Sequence, residues 1–320
     1  MKKNTGGKLA LNCVEINDTS SYHIHDLNTL GWELTLCNSL EPENSPIRAL
    51  LEKNTSFGNL LFDFLSRHLP LEEAKSVLEV GGGYGYIMRD FLGRLRGVRA
   101  SMIDISPFLL SKQRETLNSH NVTFCEHDFL AASPDFLKGH DVAILNENIG
   151  DFPTACGLTR DVLNENCRDS QAAEIRGYFN KYGLAVPSGE SFNFNLGAVR
   201  AVELLCSSGV PYIYLSEHSC EAAAPEKWRY ALGIEPTDNP ERIALKGHDE
   251  YTIRFSHLEA VAAHYGYRTA RGNYTDMLPV RFDERIHFIL TSKTEKDEHE
   301  IIRLFIGDLF KYEYLLLIRD

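Results

Sequence analysis

The chain has 320 residues, 43 % hydrophobic and 24 % charged, a balance that excludes disorder and gives a large core without staples. Lys and Arg number 33 against 45 Asp and Glu, a net charge of −12, which argues against a general grip on nucleic acid or an anionic membrane. Seven cysteines, an odd number with no C-x-x-C pair, point away from a disulfide framework or a cysteine zinc site and toward a reducing cytoplasm.

The amino terminus is basic but has no apolar stretch long enough for a signal peptide. The apolar run Tyr314 to Ile318 is far short of the roughly 20 residues of a spanning helix, so a soluble cytoplasmic protein is expected. Residues 1–40 mix short apolar pieces with polar ones and hold an H-x-H pair, His23 and His25. Such a pair can ligate a metal from a strand, but no carboxylate or cysteine stands at a telling spacing, so it reads as surface chemistry and no metal is expected. Ser45-Pro46 reads as an N-cap with a first-turn proline, predicting a helix with Ile47, Leu50 and Leu51 on one face. A second helix is predicted from Phe57 to Leu69 on Leu60, Leu61, Phe64 and Leu65. Residues 1–74 are therefore expected to form an N-terminal helical cap.

From Lys75 strands and helices alternate. Ser76 to Val80, Val98 to Ile105, Val122 to Glu126 and Asp141 to Leu145 read as strands. Between them lie helices at Tyr86 to Leu95, Ser106 to Leu117 and a short one opened by Ser133-Pro134. Crossovers of this length imply a parallel sheet covered on both faces. The rhythm breaks at about 151–190, which holds a helix near Ala172 to Tyr182, and again at about 220–250; both read as insertions. Between them lie a helix, Leu196 to Cys206, and a fifth strand, Pro211 to Leu215. Ser256 to Glu259 reads as a capping box for a helix stopped by Gly266. Tyr267 to Gly272 and Ile286 to Thr291 read as two closing strands, completing a domain over 75–294. Residues 295–320 read as an amphipathic C-terminal helix on Ile301, Ile302, Phe305, Leu309 and Phe310.

The strongest local signal is Glu79-x-Gly81-x-Gly83-x-Gly85, at the junction of the first strand and its helix. Glycines there take positive φ and let a ligand approach the backbone, beside the free N–H groups of a helix start. A nicotinamide fingerprint would need glycine at 86, where Tyr86 stands, and no Gly-Lys-Ser/Thr follows for a P-loop. Asp104, 19 residues past Gly85, ends the second strand, where a carboxylate can accept from both ribose hydroxyls of a nucleoside. Asp128 follows the third strand, placed to accept from an exocyclic adenine amine with Phe129 beside the ring. Each Asp alone reads equally well as a loop cap, but three such features at successive strand ends point to one ligand site.

These three segments, with Ile103-Asp104-Ile105-Ser106-Pro107 and Asp128-Phe129-Leu130, resemble motifs I, II and III of class I S-adenosylmethionine-dependent methyltransferases. The resemblance covers about Ser76 to Thr291. It implies an α/β, Rossmann-like seven-stranded sheet whose last strand is antiparallel. It also implies that the Gly81–Gly85 turn meets the methionine moiety, Asp104 the ribose and Asp128 the adenine, and Glu79, Ile105, Phe129 and Asn146 are further cofactor-binding candidates. The segment Asn146-Glu147-Asn148-Ile149-Gly150-Asp151-Phe152-Pro153 departs from the N/D-P-P-Y/F/W loop of nucleic-acid amino-methylating enzymes. It is loosely similar to the N-E-x-x-D-x-x-P loop of the MidA-like methyltransferases, whose mitochondrial members methylate a protein arginine, with Asp151 one residue late.

Glu147, Asp151, Glu217 and His218 are the candidate catalytic residues, since side chains after the fourth and fifth strands commonly reach the reacting group in such a fold. Three carboxylates suit a cationic acceptor, an amine or guanidinium on a small molecule or protein side chain. With His218 as base, a small-molecule hydroxyl acceptor is the alternative. A non-catalytic cofactor-binding assembly or sensor protein is the alternative of another class.

Overall fold

The computed structural model describes residues 14–29, 35–164, 169–292 and 296–319. The amino-terminal part contributes β1 (Glu15–Asn17), α1 (Ser20–His25), α2 (Leu36–Ser39) and α3 (Phe57–Leu65). The helix predicted after Ser45-Pro46 is only a 3-10 turn, Arg48–Leu50. Two competing bonds explain this. The Ser45 hydroxyl donates to the Ser39 carbonyl (2.8 Å) instead of capping, and Leu51 is drawn into an extended bridge with Val280. α3 also ends at Leu65 rather than Leu69.

The alternating part follows as predicted: β2 (Ser76–Val80), α4 (Tyr86–Leu92), β3 (Arg99–Asp104), α5 (Pro107–Thr116), β4 (Val122–Glu126), α6 (Pro134–Leu137) and β5 (Val142–Asn146). Ser106 and Ser133 cap α5 and α6 by accepting from Leu109 and Phe136 N–H, and a proline opens each first turn. The first irregular stretch contains β6 (Thr154–Thr159) and α7 (Ser170–Tyr182). Next come β7 (Ser191–Phe194), α8 (Leu196–Ser208), β8 (Tyr212–His218), α9 (Glu226–Leu232), and the hairpin β9 (Arg242–Ala244) and β10 (Asp249–Tyr251). The chain continues through α10 (Phe255–His264), β11 (Arg268–Asn273), α11 (Glu284–Thr291), α12 (Asp297–Lys311) and β12 (Tyr312–Ile318).

The main sheet has the order β11-β12-β8-β5-β2-β3-β4, and β12 runs antiparallel to both its neighbours. The five strands from β8 to β4 are parallel. β2 and β5 are buried at every position, so their side chains divide between two cores. Val77, Ile144, Tyr214 and Leu316 face a core filled by α3, α4 and α12 through Phe62, Phe91 and Ile306. Leu78, Leu145, Leu215 and Leu315 face the other, filled by α8 and α10 through Val199, Val202 and Val261. β1, β6 and β7 make a separate antiparallel sheet of three strands.

The end of the chain corrects the sequence reading. Ile286 to Thr291, read as a closing strand, lies in α11. Asp283 caps it from the Ile286 N–H (2.9 Å), and Ile286, Ile289 and Leu290 point inward at helical spacing. The seventh strand is β12, inside the segment 295–320 read as a single helix. Its run of leucines is buried on both faces of the sheet, so no polar alternation advertised a strand. The capping box at Ser256 is likewise overruled, because Ser256 sits within the first turn of α10 and Glu221 accepts its N–H (2.9 Å). Among the described residues no helix is long and apolar enough to cross a membrane, and Cys37, Cys125, Cys156, Cys206 and Cys220 are free.

Ending the chain at Lys311 removes the strand that pairs with both β8 and β11. The expected result is loss of folded protein, seen as insoluble expression or a circular dichroism spectrum without a cooperative thermal transition. A soluble, cooperatively melting truncated chain would contradict the central place given to β12.

Candidate functional site

One cleft collects the carboxyl ends of β2, β3, β4, β5 and β8, the amino-terminal residues from Asp18 to Leu27, and Leu245, His248 and Glu250 of the hairpin region. Glycines shape its floor. Gly81, Gly83 and Gly85 have φ of +57, +52 and +82°, and Gly85 is the N-cap of α4. A Cβ on Gly81 would lie 2.5 Å from the Asn148 amide nitrogen, which donates to the Val80 carbonyl. Glu79 is buried beneath this turn and its Oε2 has no hydrogen-bond partner. Burial, and then the charges of Asp104 and Asp90, push its carboxyl up to about 8.

Asp104 ends β3 and lines the cleft. Its Oδ1 accepts from Ser106 N–H (2.9 Å) and its Oδ2 from the Gln113 amide (2.9 Å), leaving lone pairs on both oxygens. Burial still lifts it to about 6. Half-buried Ile105 follows it into the lining. Asp128 is exposed at the mouth and accepts from Leu130 N–H (2.9 Å), with the buried Phe129 ring 6.2 Å from that of Phe152. All nine predicted cofactor residues lie in or beside this cleft, Gly85 at its edge as the cap of α4.

The predicted catalytic residues divide. Glu147 directly follows β5 with φ +53°, one of two non-glycine residues in the left-handed region among the described residues. Its Oε2 accepts from Leu36 N–H (2.8 Å) at the start of α2, and its Oε1 from the Asn146 amide (3.2 Å). Burial raises its carboxyl to about 7. Asn146 is itself held by the Ser216 hydroxyl, which donates to its Oδ1 (3.0 Å). Both oxygens of Glu217 are occupied, by the N–H groups of Gly150 (3.1 Å) and His218 (2.8 Å). Burial and then the charge of Glu250 lift it well above the usual carboxylate range. Asp151 lies between two histidines: its Oδ1 is 3.0 Å from His23 Nε2 and 3.3 Å from His248 Nε2. Burial pushes its carboxyl up, but the two imidazoles outweigh burial and hold it below the ordinary value.

His218 does not join this group. Its ring lies against Tyr312, centroids 3.8 Å apart, and faces a second cavity lined by Cys220, Glu235, Asp308 and Lys311. Burial lowers it to about 3, so it is neutral. Sequence reading missed His248, Glu250, Asn148 and Tyr312 as lining residues. His23 had a local signal, the H-x-H pair, but its partners Asp151 and His248 are distant in sequence and meet it only in the fold. His25 is exposed and does not line the cleft.

Among the described residues the lining holds Asp18, Glu79, Asp104, Asp128, Glu147, Asp151, Glu217 and Glu250, and neither Lys nor Arg. Such a cleft favours a cationic ligand.

The sequence matches no protein-family model and no curated protein. Among solved structures, the chain is similar to an uncharacterized protein from Burkholderia thailandensis, with TM-score 0.51 and 13 % identity over 95 % of this chain and 87 % of that one. A second Burkholderia thailandensis protein, solved bound to S-adenosyl-homocysteine, aligns at TM-score 0.48 and 14 % identity over 82 % and 76 %. The plantazolicin methyltransferase BamL aligns at TM-score 0.42 and 12 % identity over 87 % and 86 %. The first likeness and the strand order establish the Rossmann-like fold that the sequence motifs led us to expect.

The raised carboxyls have a consequence for stability. Glu79 and Glu147 bind more protons folded than unfolded between their ordinary value of 4.5 and about 8 and 7 respectively. Their stabilisation is complete below that window and lost as pH rises through it. His218 and His257, lowered to about 3 and about 4, oppose acid in the usual way. The melting temperature of the ligand-free protein is therefore expected to peak near pH 6 and fall by several degrees toward pH 8.5. Glu79→Gln should flatten that fall; a profile that rises across this range in the parent protein would contradict it.

Proposed function

We propose that the protein is an S-adenosylmethionine-dependent methyltransferase acting on a cationic nitrogen acceptor, an amine or guanidinium. The observation that carries the reading is the cleft itself: a glycine turn, a ribose-type carboxylate and an adenine-type carboxylate at three successive strand ends, with no Lys or Arg among the described lining residues. In this reading Gly81 to Gly85 and Glu79 hold the methionine moiety, Asp104 the ribose hydroxyls, and Ile105, Asp128 and Phe129 the adenine. Asn146 supports the cofactor from the end of β5. When bound, the cofactor supplies an electrophilic methyl on a sulfonium.

The chain's own residues do the rest. Methyl transfer is an in-line displacement, so the main contribution is holding the acceptor aligned and excluding water. α1 and the two inserted segments close over the strand ends for that purpose; Thr19 Oγ1 donates to the Asp151 carbonyl (2.8 Å), and Asn17 donates to the Asp249 carbonyl (2.8 Å). The carboxylates lower the energy of a cation that approaches and of the positive charge that moves onto the acceptor nitrogen. Glu147, lifted to about 7, is in the range where a carboxylate can take a proton from a cationic acceptor near neutral pH. Glu217 holds the Gly150 turn that carries Asp151 into place.

Calorimetry with S-adenosylmethionine and S-adenosylhomocysteine is the first test, and an absence of binding by both overturns the reading. Asp104→Ala is expected to weaken binding roughly tenfold to a hundredfold, the size of lost charge-assisted hydrogen bonds. An unchanged dissociation constant would reject its ribose role.

Glu147→Gln keeps the shape and an acceptor for Leu36 N–H but removes the carboxylate. Cofactor affinity should hold, while release of S-adenosylhomocysteine with amine acceptors falls about tenfold to a hundredfold. If cofactor affinity falls instead and saturated turnover holds, Glu147 serves the cofactor. If no acceptor yields turnover from a chain that binds the cofactor, a binding role replaces catalysis.

A further inference from the structure

The group His23, Asp151 and His248 has no part in holding the cofactor above, and its geometry is that of a ligand set. One ligand atom from each of the three side chains lies within 4.8 Å of the other two. The separations of Asp151 Oδ1 from His23 Nε2 and His248 Nε2 are 3.0 and 3.3 Å. Ligands bound at about 2.0–2.1 Å in a tetrahedral site stand roughly 3.3 Å apart, which these two separations already match. His23 Nε2 and Asp151 Oδ1 are fully buried, yet neither has a partner that meets hydrogen-bond geometry, although they are 3.0 Å apart. Two buried polar atoms this close without a directed bond between them are suited to a common third partner. Two imidazoles, once a bound ion displaces their protons, and one carboxylate are also the donor set of open zinc-type sites.

The scaffold is assembled without help from these three side chains. His23 comes from α1, Asp151 from the turn after β5, and His248 from the turn between β9 and β10. These segments are joined by the Thr19 and Asn17 bonds to the Asp151 and Asp249 carbonyls, and by the pairing of β1 with β6. Tyr22 stacks on the His248 ring, centroids 4.2 Å apart and 17° from parallel, which fixes the direction of Nε2. Glu250 Oε1, 3.4 Å from His248 Nε2, is within reach as a further oxygen.

We infer that His23, Asp151 and His248 bind a divalent transition-metal ion in the wall of the cleft. The ion ties α1 to the two inserted segments and leaves a coordination position for water or an acceptor atom. This is independent of the methyltransferase reading, since the ligands are set in the cofactor-free chain.

The test is titration of metal-free, cofactor-free protein with cobalt(II) chloride, followed by its visible absorption, and with zinc chloride in competition. One ion per chain with the bands of a four- or five-coordinate nitrogen and oxygen site is expected. His23→Ala and His248→Ala should each weaken binding at least tenfold, whereas His25→Ala, an exposed residue on the same helix, should not. Bound zinc should also slow amide exchange in α1 of the parent protein. Absence of binding by the parent, or binding that survives both histidine substitutions in folded variants, overturns the inference in favour of a simple ion-pair clamp. Should those variants fail to fold, the parent's titration and its exchange response still decide it.

Discussion

Carboxylates buried at the ends of buried strands, in a cleft that no Lys or Arg among the described residues lines, set the terms for the cleft and the chain that covers it. Glu79, Asp104 and Glu217 are almost fully removed from water. A carboxylate in that position is costly unless donors converge on it. The donors here are mostly main-chain N–H groups, those of Ser106, Leu36, Gly150 and His218. The polar groups of the cleft and the path of the covering chain are therefore one problem with one solution. The α2 start is where it is because Glu147 receives it, and the turn at Gly150 is where it is because Glu217 receives it. A Cβ at Gly150 would stand 3.0 Å from the Tyr251 carbonyl and 3.2 Å from Glu217 Cδ, so a larger residue there would make its neighbours give by a few tenths of an ångström.

What the sequence disclosed, and what it hid, follows from the range of each interaction. Ser106-Pro107, Ser133-Pro134 and the glycine turn are local signals, with cap, proline and positive φ inside a few residues, and they were legible. So were the parallel strands, because crossovers leave few alternatives. β12 was hidden because its apolar run is buried on both faces, and α11 because eight residues with three inward positions resemble a strand as much as a helix. The cleft's carboxylates on strand ends were legible one by one. The His23–Asp151–His248 group was not, since its members lie in three segments that the parallel sheet only brings near one another. The same limit applies to His218, adjacent to Glu217 in sequence but turned to the other side by the alternation of a strand.

Glu147 shows how the two scales meet. A left-handed backbone at a glutamate costs on the order of 1 kcal/mol or more, and a sequence tuned for stability alone would place glycine there. Its N–H donates to the Ser216 carbonyl (3.0 Å), so the strained residue is pinned to β8 while its side chain reaches back to α2. The strain and the carboxylate occupy one position because the direction of the side chain depends on that backbone conformation.

The place of β12 has a consequence for synthesis. The ribosome makes β11 before β12, yet β12 lies between β11 and β8. The five parallel strands and the floor of the cleft can therefore form while β8 still presents an open edge, and β11 has no neighbour to join until the later strand has threaded in. During that interval an apolar edge with Tyr212 to Leu215 is available to other chains, and its protection falls to whatever receives the nascent protein. The architecture thus places its most aggregation-exposed moment between the completion of the parallel strands and the arrival of β12.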